Sequence, residues 1–300
     1  MRTAWTAHRQ RHRNFFSTVS AVDHGLRRPI ANHKREWSKM SKNGFQGHIA
    51  YLHLPVTRMD ESLAWYERHL GAKISGKPHD DLGFIDFPEG PNVLLIGTNQ
   101  PARAAFYLGD ERKQVLGFRT TRIEELHRHM KEGGVTLEPI VSYGHGDFFY
   151  FDDPDGNFFM VHQLPDAVSK DDDPLVEGIR YIEFPVYDLE QTTDWYADIL
   201  GFNKTLPGNP DLVFLDKEPG PNILMWRSQL RTNLNVYRGD EVTPLVGFRI
   251  NEMDELHRYL STSGVAVSEI EDAGTVGRFC RFTDPNGNLF MVHEPSQVVV

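Results

Sequence analysis

Cysteine is nearly absent: the 300-residue chain has one, Cys280. That excludes an internal disulfide and a Cys-based zinc site, and it fits a reducing compartment, so the cytoplasm is the expected setting. Cys280 falls in a stretch that reads as strand, Arg278 to Phe282, where a packed thiol is expected rather than a nucleophile. No apolar run approaches the ~20 residues of a membrane helix. Gly-rich phosphate loops, Gly-x-Ser-x-Gly elbows and His-Glu-x-x-His helices do not occur either, which removes the usual signatures of nucleotide binding, serine hydrolysis and zinc proteolysis. Basic charge is scarce except at the start. Residues 1–46 hold ten Lys or Arg against two acids, whereas the remainder carries 22 basic and 40 acidic side chains. So acidic a body repels phosphate, and nucleic acid is not an expected partner. The basic head reads as a disordered leader or as sequence upstream of a start at Met40, in preference to an organellar presequence or a nucleic-acid arm.

What the chain does have is a repeat. Asp153-Pro154-Asp155-Gly156-Asn157 is followed by Phe-Phe-Met-Val-His, and Asp284-Pro285-Asn286-Gly287-Asn288 by Leu-Phe-Met-Val-His. Proline fixes one backbone angle and Gly and Asn tolerate positive φ, so each pentapeptide reads as a tight turn between two strands. A shift of 130 residues lays Tyr51–Asp60 on Tyr181–Glu190, Gly117-Phe118-Arg119 on Gly247-Phe248-Arg249, and Glu125–Arg128 on Glu255–Arg258. Registers held over more than a hundred residues mark a duplication. Apolar content of 39%, with 11% aromatic, supplies a core for two units of about 120 residues each.

Each half has the same inner order. His48 to Val56 alternates as a strand, with Tyr51, His53 and Pro55 on one face and Leu52, Leu54 and Val56 on the other. Asp60 begins a helix that Gly71 ends. Strands are then expected at Ala72–Gly76, Gly83–Phe87 and Asn92–Ile96. After a polar stretch come a strand at Val115–Thr120, a helix at Ile123–Lys131, and strands at Val135–Val141, Phe148–Asp152 and Phe158–Gln163. The expectation is α+β: four βαβββ modules in two tandem units, 47–163 and 177–296, joined by a linker at 164–176 rich in Pro and Asp. Each unit is expected to curve a mixed sheet into a cup with its helices outside.

Paired βαβββ modules with an Asp-Pro turn before the last strand, and a helix entry reading Val56…Ser62…Trp65-Tyr66…Leu70-Gly71, resemble the vicinal oxygen chelate superfamily. It includes glyoxalase I, bleomycin-resistance proteins and extradiol dioxygenases, and the four-module layout looks like the last of these. The resemblance covers about residues 47–295 and implies a divalent metal, such as Fe, Mn, Ni or Zn, chelated inside the cup. It also implies where the ligands belong: Tyr51 and Tyr181 on the first strands, Val115 and Leu245 in the second modules, and Met160 and Met291 after the turns. A phenol, an aliphatic side chain and a thioether do not make a hard oxygen-and-nitrogen site.

Polar side chains stand two residues further along, on the same strand faces: His53 with His162, and Glu183 with His293. These four are the candidates for a displaced metal site. Glu183 and His293 are also candidates for an acid/base pair. Tyr51, His53, His162, Tyr181, Trp226 and Met291 are the expected ligand-binding lining, with Met225 and Phe279 as further wall residues. Arg119 and Arg249 alternate with Phe118 and Phe248, so either the arginines or the phenylalanines face the cup. Two functions remain open. One is metal-free binding of a small apolar or aromatic molecule. The other is a metal-dependent dioxygenase or glyoxalase-type lyase with a displaced site in the second unit. Pairing of the units within the chain, or between copies as a homodimer, is expected in either case.

Overall fold

The computed structural model describes residues 45–99, 102–170, 172–238 and 240–296. The basic leader, including Met40, lies outside them except for Phe45 and Gln46. Phe45 is fully buried, packs edge-on against Phe248, and its carbonyl accepts from Lys217 Nζ at 2.9 Å, so the fold starts before the Gly47 expected from sequence.

The four modules are present. The first holds β1 (His48–Val56), α1 (Met59–Leu70), β2 (Lys73–His79), β3 (Leu82–Asp86) and β4 (Asn92–Gly97). A hairpin, β5 (Ala105–Leu108) and β6 (Glu111–Gln114), occupies what the sequence suggested was loop. The second module is β7 (Leu116–Arg119), α2 (Ile123–Glu132), β8 (Val141–Tyr143), β9 (Gly146–Asp152) and β10 (Phe158–Gln163). Most of the strand expected at Val135–Val141 is missing. Only an isolated bridge, Leu137 with Phe151, marks it. The third is β11 (Gly178–Val186), α3 (Leu189–Leu200), β12 (Asn203–Thr205), β13 (Leu212–Asp216) and β14 (Asn222–Arg227). A second hairpin, β15 (Val236–Arg238) and β16 (Glu241–Thr243), precedes the fourth: β17 (Val246–Arg249), α4 (Met253–Thr262), β18 (Glu271–Asp272), β19 (Gly277–Thr283) and β20 (Leu289–Pro295).

The fold is α+β, with two eight-stranded mixed sheets. Each sheet, however, draws on both halves of the sequence. One runs β18-β19-β20-β17-β1-β4-β3-β2, joining the first module to the fourth, and the other runs β12-β13-β14-β11-β7-β10-β9-β8, joining the third to the second. The joins are antiparallel ladders in matching register: Tyr51 opposite Gly247 and Leu52 opposite Val246, then Tyr181 opposite Gly117 and Ile182 opposite Leu116. The segments 47–163 and 177–296 are thus contiguous repeats, but neither contains a complete sheet.

The Asp-Pro turns hold the halves of each repeat together. Tyr66 on α1 donates to Asp153 at 2.6 Å, and Tyr196 on α3 donates to Asp284 at 2.9 Å; both tyrosines are wholly buried. Asn157 reaches the Pro55 carbonyl at 2.9 Å and Asn286 the Pro185 carbonyl at 3.1 Å, which ties each turn to the end of the first strand in its own repeat. Helices seal the opposite face of the sheets, where Leu52, Leu54, Phe118, Phe248 and Met225 enter the main core.

A fragment spanning residues 45–170 retains β1 and β7 without their ladder partners, leaving two central strands as bare edges. It is expected to yield no folded monomer by light scattering and circular dichroism, and co-expression with residues 172–296 is expected to restore a 1:1 folded complex. A folded, monomeric 45–170 would contradict the crossed sheets.

Candidate functional site

Alternation along β1 and β11 sends Leu52, Leu54, Val56, Ile182, Phe184 and Val186 to the helix-side core. Tyr51 and His53, or Tyr181 and Glu183, go to the cup. The cup floors are alike. A Cβ added to Gly117 would meet Met160 Cε at 2.8 Å and Tyr181 Cδ2 at 3.0 Å, and one added to Gly247 would meet Tyr51 Cβ at 3.1 Å and Met291 Cε at 3.2 Å. The glycines are bare because a tyrosine ring and a methionine methyl lie directly on them.

His162 and His293 are fixed in one way. Tyr51 Oη lies 2.8 Å from His293 Nδ1, and His293 Nε2 lies 2.8 Å from the Val276 carbonyl. In the other sheet Tyr181 Oη is 3.0 Å from His162 Nδ1, and His162 Nε2 is 3.1 Å from the His145 carbonyl. A carbonyl only accepts, so in each ring Nε2 carries a proton. Each ring also stacks on a phenylalanine, His293 on Phe279 at 4.4 Å and His162 on Phe148 at 4.2 Å. Burial lowers the His162 pKa, with the His145 carbonyl acting in the opposite sense. Both imidazoles have their two ring nitrogens in use.

The pairs expected from sequence are exchanged by the crossed sheets. His53 shares a sheet with His293, and Glu183 with His162, so Glu183 and His293 do not form an acid/base pair and His53 and His162 do not share a cup. Trp226 and Tyr181 line the cup of Glu183, whereas Phe279 and Met291 line that of His53, packed with Tyr51. Met225 is not a wall residue; it is buried on the helix side.

Glu183 is 1% exposed. Gln114 Nε2 donates to its Oε1 at 2.5 Å and Trp226 Nε1 to its Oε2 at 2.7 Å, while the Lys113 ammonium lies 4.8 Å from the centre of the Trp226 ring. Burial pushes the carboxyl pKa up to about 7, against the opposing pull of Gln114, Trp226 and Lys113. Half-buried Trp226, Tyr181 and Tyr150 keep this cup partly open. The other cup replaces the arrangement residue for residue: His53, Pro244 and Ile96 stand where Glu183, Gln114 and Trp226 would be. Burial, with help from Arg281, drives the His53 pKa down to about 4, against a hydrogen bond to the Pro244 backbone. Its Nδ1 has no hydrogen-bond partner among the described residues.

The sequence profile of the Glyoxalase/Bleomycin resistance protein/Dioxygenase superfamily matches residues 46–161 and 178–292. The chain belongs to this superfamily. Among solved structures it is similar to glyoxalase I from Zea mays, at 15% identity over 83% of this chain and 92% of that one, with a TM-score of 0.61. A Bacillus subtilis subsp. subtilis str. 168 protein provisionally called a dioxygenase gives 15% identity, 83% and 85% coverage and a TM-score of 0.61. The cppA protein of Streptococcus pneumoniae TIGR4 gives 12% identity, 81% and 96% coverage and a TM-score of 0.50. At such identities the likeness is one of fold. No curated protein matches the chain.

A metal of the kind the superfamily implies does not fit the residues present. One sheet offers Tyr51, Leu245 and Met291 at the usual positions and the other offers Tyr181, Val115 and Met160. The displaced candidates His162 and His293 already have both ring nitrogens engaged in hydrogen bonds. Among the described residues no three His, Cys, Asp or Glu side chains converge. Cys280 is buried, and burial raises its thiol to about 12, far from the reactive range. No described helix is long and apolar enough to cross a membrane. Gln114, Lys113 and Tyr150 are the site residues that sequence reasoning missed. Gln114 directly precedes Val115, so its position was in hand, but its hairpin was taken for a loop.

Glu183 has a pH signature. Its folded pKa is raised above the unfolded value of 4.5, so the folded state holds the proton longer and stability falls as pH rises from about 4.5 through about 7, then levels. The span corresponds to roughly 3 kcal/mol. Urea titrations are expected to show Glu183→Gln becoming more stable relative to wild type between pH 5 and pH 8. A constant difference between the two proteins would disprove the buried, neutral-pH carboxyl.

Proposed function

We propose that the chain binds a small apolar or aromatic molecule without metal, in the cup that the second and third modules build, with Glu183 as its polar anchor. The observation that carries this reading is the Glu183 carboxyl, held by Gln114 and Trp226 at the base of a partly open wall of Trp226, Tyr181 and Tyr150. Ring surfaces provide apolar contact with defined geometry, and one buried carboxyl provides orientation, the usual division of labour in a small-molecule pocket. Close to neutral pH this group presents either an O–H donor or a carboxylate acceptor. The single cysteine supports a cytoplasmic setting.

The near-neutral carboxyl also favours a second reading, in which Glu183 moves a proton on a bound substrate. The metal-dependent dioxygenase or lyase alternative has weaker support, because the superfamily's usual ligand positions are apolar or phenolic in both sheets.

A thermal-shift screen of small phenols, aromatic acids and aromatic amines tests the binding reading. A bound compound at 100 times its Kd stabilises by about 2.7 kcal/mol. That response is expected to vanish in the Trp226→Ala, Glu183→Gln double variant and to survive in His293→Ala, which alters the other sheet. A response undiminished in the double variant would sink the proposal. About one tightly held metal per chain by elemental analysis, lost in His162→Ala, would favour the metal-dependent alternative instead.

A further inference from the structure

The repeat supplies its own control for a site outside both cups. Arg119 and Arg249 end equivalent strands, each directly after a Gly-Phe pair. Phe118 and Phe248 enter the helix-side core, which leaves the arginines on the other face at the strand ends. Arg119 is saturated: its Nε donates to Glu177 at 2.6 Å, and Nη2 bonds Glu89. In the other sheet the same two places are taken by Gly47 and Pro219. Arg249 has kept its charge and lost both counter-charges. It makes no ion pair or side-chain hydrogen bond among the described residues, and its field helps depress the pKa of neighbouring His48.

This half-buried guanidinium opens on a groove of about 620 Å³, lined in part by Asn251, Glu252, Asp272, Arg278 and Ser296. Most of the groove's charge is already committed. Arg278 bonds Glu294 at 2.6 Å and Asp254 at 2.8 Å, and the other Glu294 oxygen accepts the Met253 amide at 3.0 Å. Among the described residues three charges of the lining make no ion pair: the Arg249 cation and the exposed carboxylates of Glu252 and Asp272, of which Asp272 accepts the Gly274 amide through one oxygen at 2.8 Å and keeps the other. The planar guanidinium fork matches a carboxylate through two parallel hydrogen bonds. A simple anion would gain Arg249 but face two carboxylates, and a simple amine would meet the reverse. A molecule carrying both charges satisfies the whole set.

We propose that this groove binds a small zwitterion of α-amino-acid type, with its carboxylate on Arg249 and its ammonium on Glu252 and Asp272. The site is independent of the Glu183 cup. Full-length ¹⁵N-labelled protein titrated with glycine and with L-glutamine provides the test, with acetate and methylammonium as single-charge controls. The amino acids are expected to give saturable amide shifts at residues 249–252 and 272–277. Acetate and methylammonium are expected to bind at least about tenfold more weakly. Arg249→Gln is expected to abolish the shifts, Arg249→Lys to retain a weakened response, and Arg119→Gln to leave them unchanged. Arg249→Gln removes no ion pair among the described residues, so its melting temperature should stay near that of wild type; should it not fold, Arg249→Lys carries the comparison. No saturable shift with either amino acid, unchanged binding in Arg249→Gln or Arg249→Lys, or acetate binding as tightly as glycine would overturn the proposal.

Discussion

The antiparallel ladders between β1 and β17 and between β7 and β11 are the constraint on which the rest depends. Each places the first strand of one module beside the first strand of a module in the other repeat. Every cup therefore has one wall from each repeat. The ladders also force close approach at Gly117 and Gly247, where a Tyr and a Met side chain cover bare backbone. A larger residue at either glycine would push a ring or a thioether off the floor, and the loss would be felt across both repeats.

On that common frame the two cups differ in a short set of positions. The Tyr–His–carbonyl chain, the stacked Phe and the Met over Gly are the same in both. Besides Tyr150, whose place Arg281 takes, what changes is Glu183 for His53, Gln114 for Pro244 and Trp226 for Ile96, which together turn an imidazole cup into a carboxyl cup. A buried carboxyl needs donors, and Gln114 and Trp226 provide them. Proline and isoleucine cannot, so the three substitutions form one unit. The parts shared by both cups hold the fold, and the parts that differ are where function is to be sought.

Much of this was legible in the sequence. The 130-residue shift gave the repeat, period-two alternation gave the strand faces, and Gly71 sits at the left-handed helix end where a glycine stop was expected, as Gly201 does at the equivalent place in the other repeat. The poverty of the usual metal positions was plain from Tyr51, Met160 and Met291. Strand neighbours were not legible, because alternation reports which face a side chain takes and says nothing of which strand lies alongside. Glu183 was consequently matched with His293 of its own repeat when its partners are Gln114 and Trp226. The hairpin of β5 and β6 escaped because it is short and polar, and Val135–Val141 suggested a strand because β-branched residues at its ends outweighed Glu138 and Pro139.

The crossed pairing also orders events in time. As the chain leaves the ribosome, the sheet of the second and third modules has all its strands once residue 227 has emerged, whereas β1, which has β4 close by, waits for its other partner, β17, about 200 residues downstream. The chain closes like nested brackets, the inner pair before the outer. Until the outer pair closes, β1 is paired only with β4 and presents one bare apolar edge to the surroundings, and that interval is when the molecule is most exposed to association with other copies.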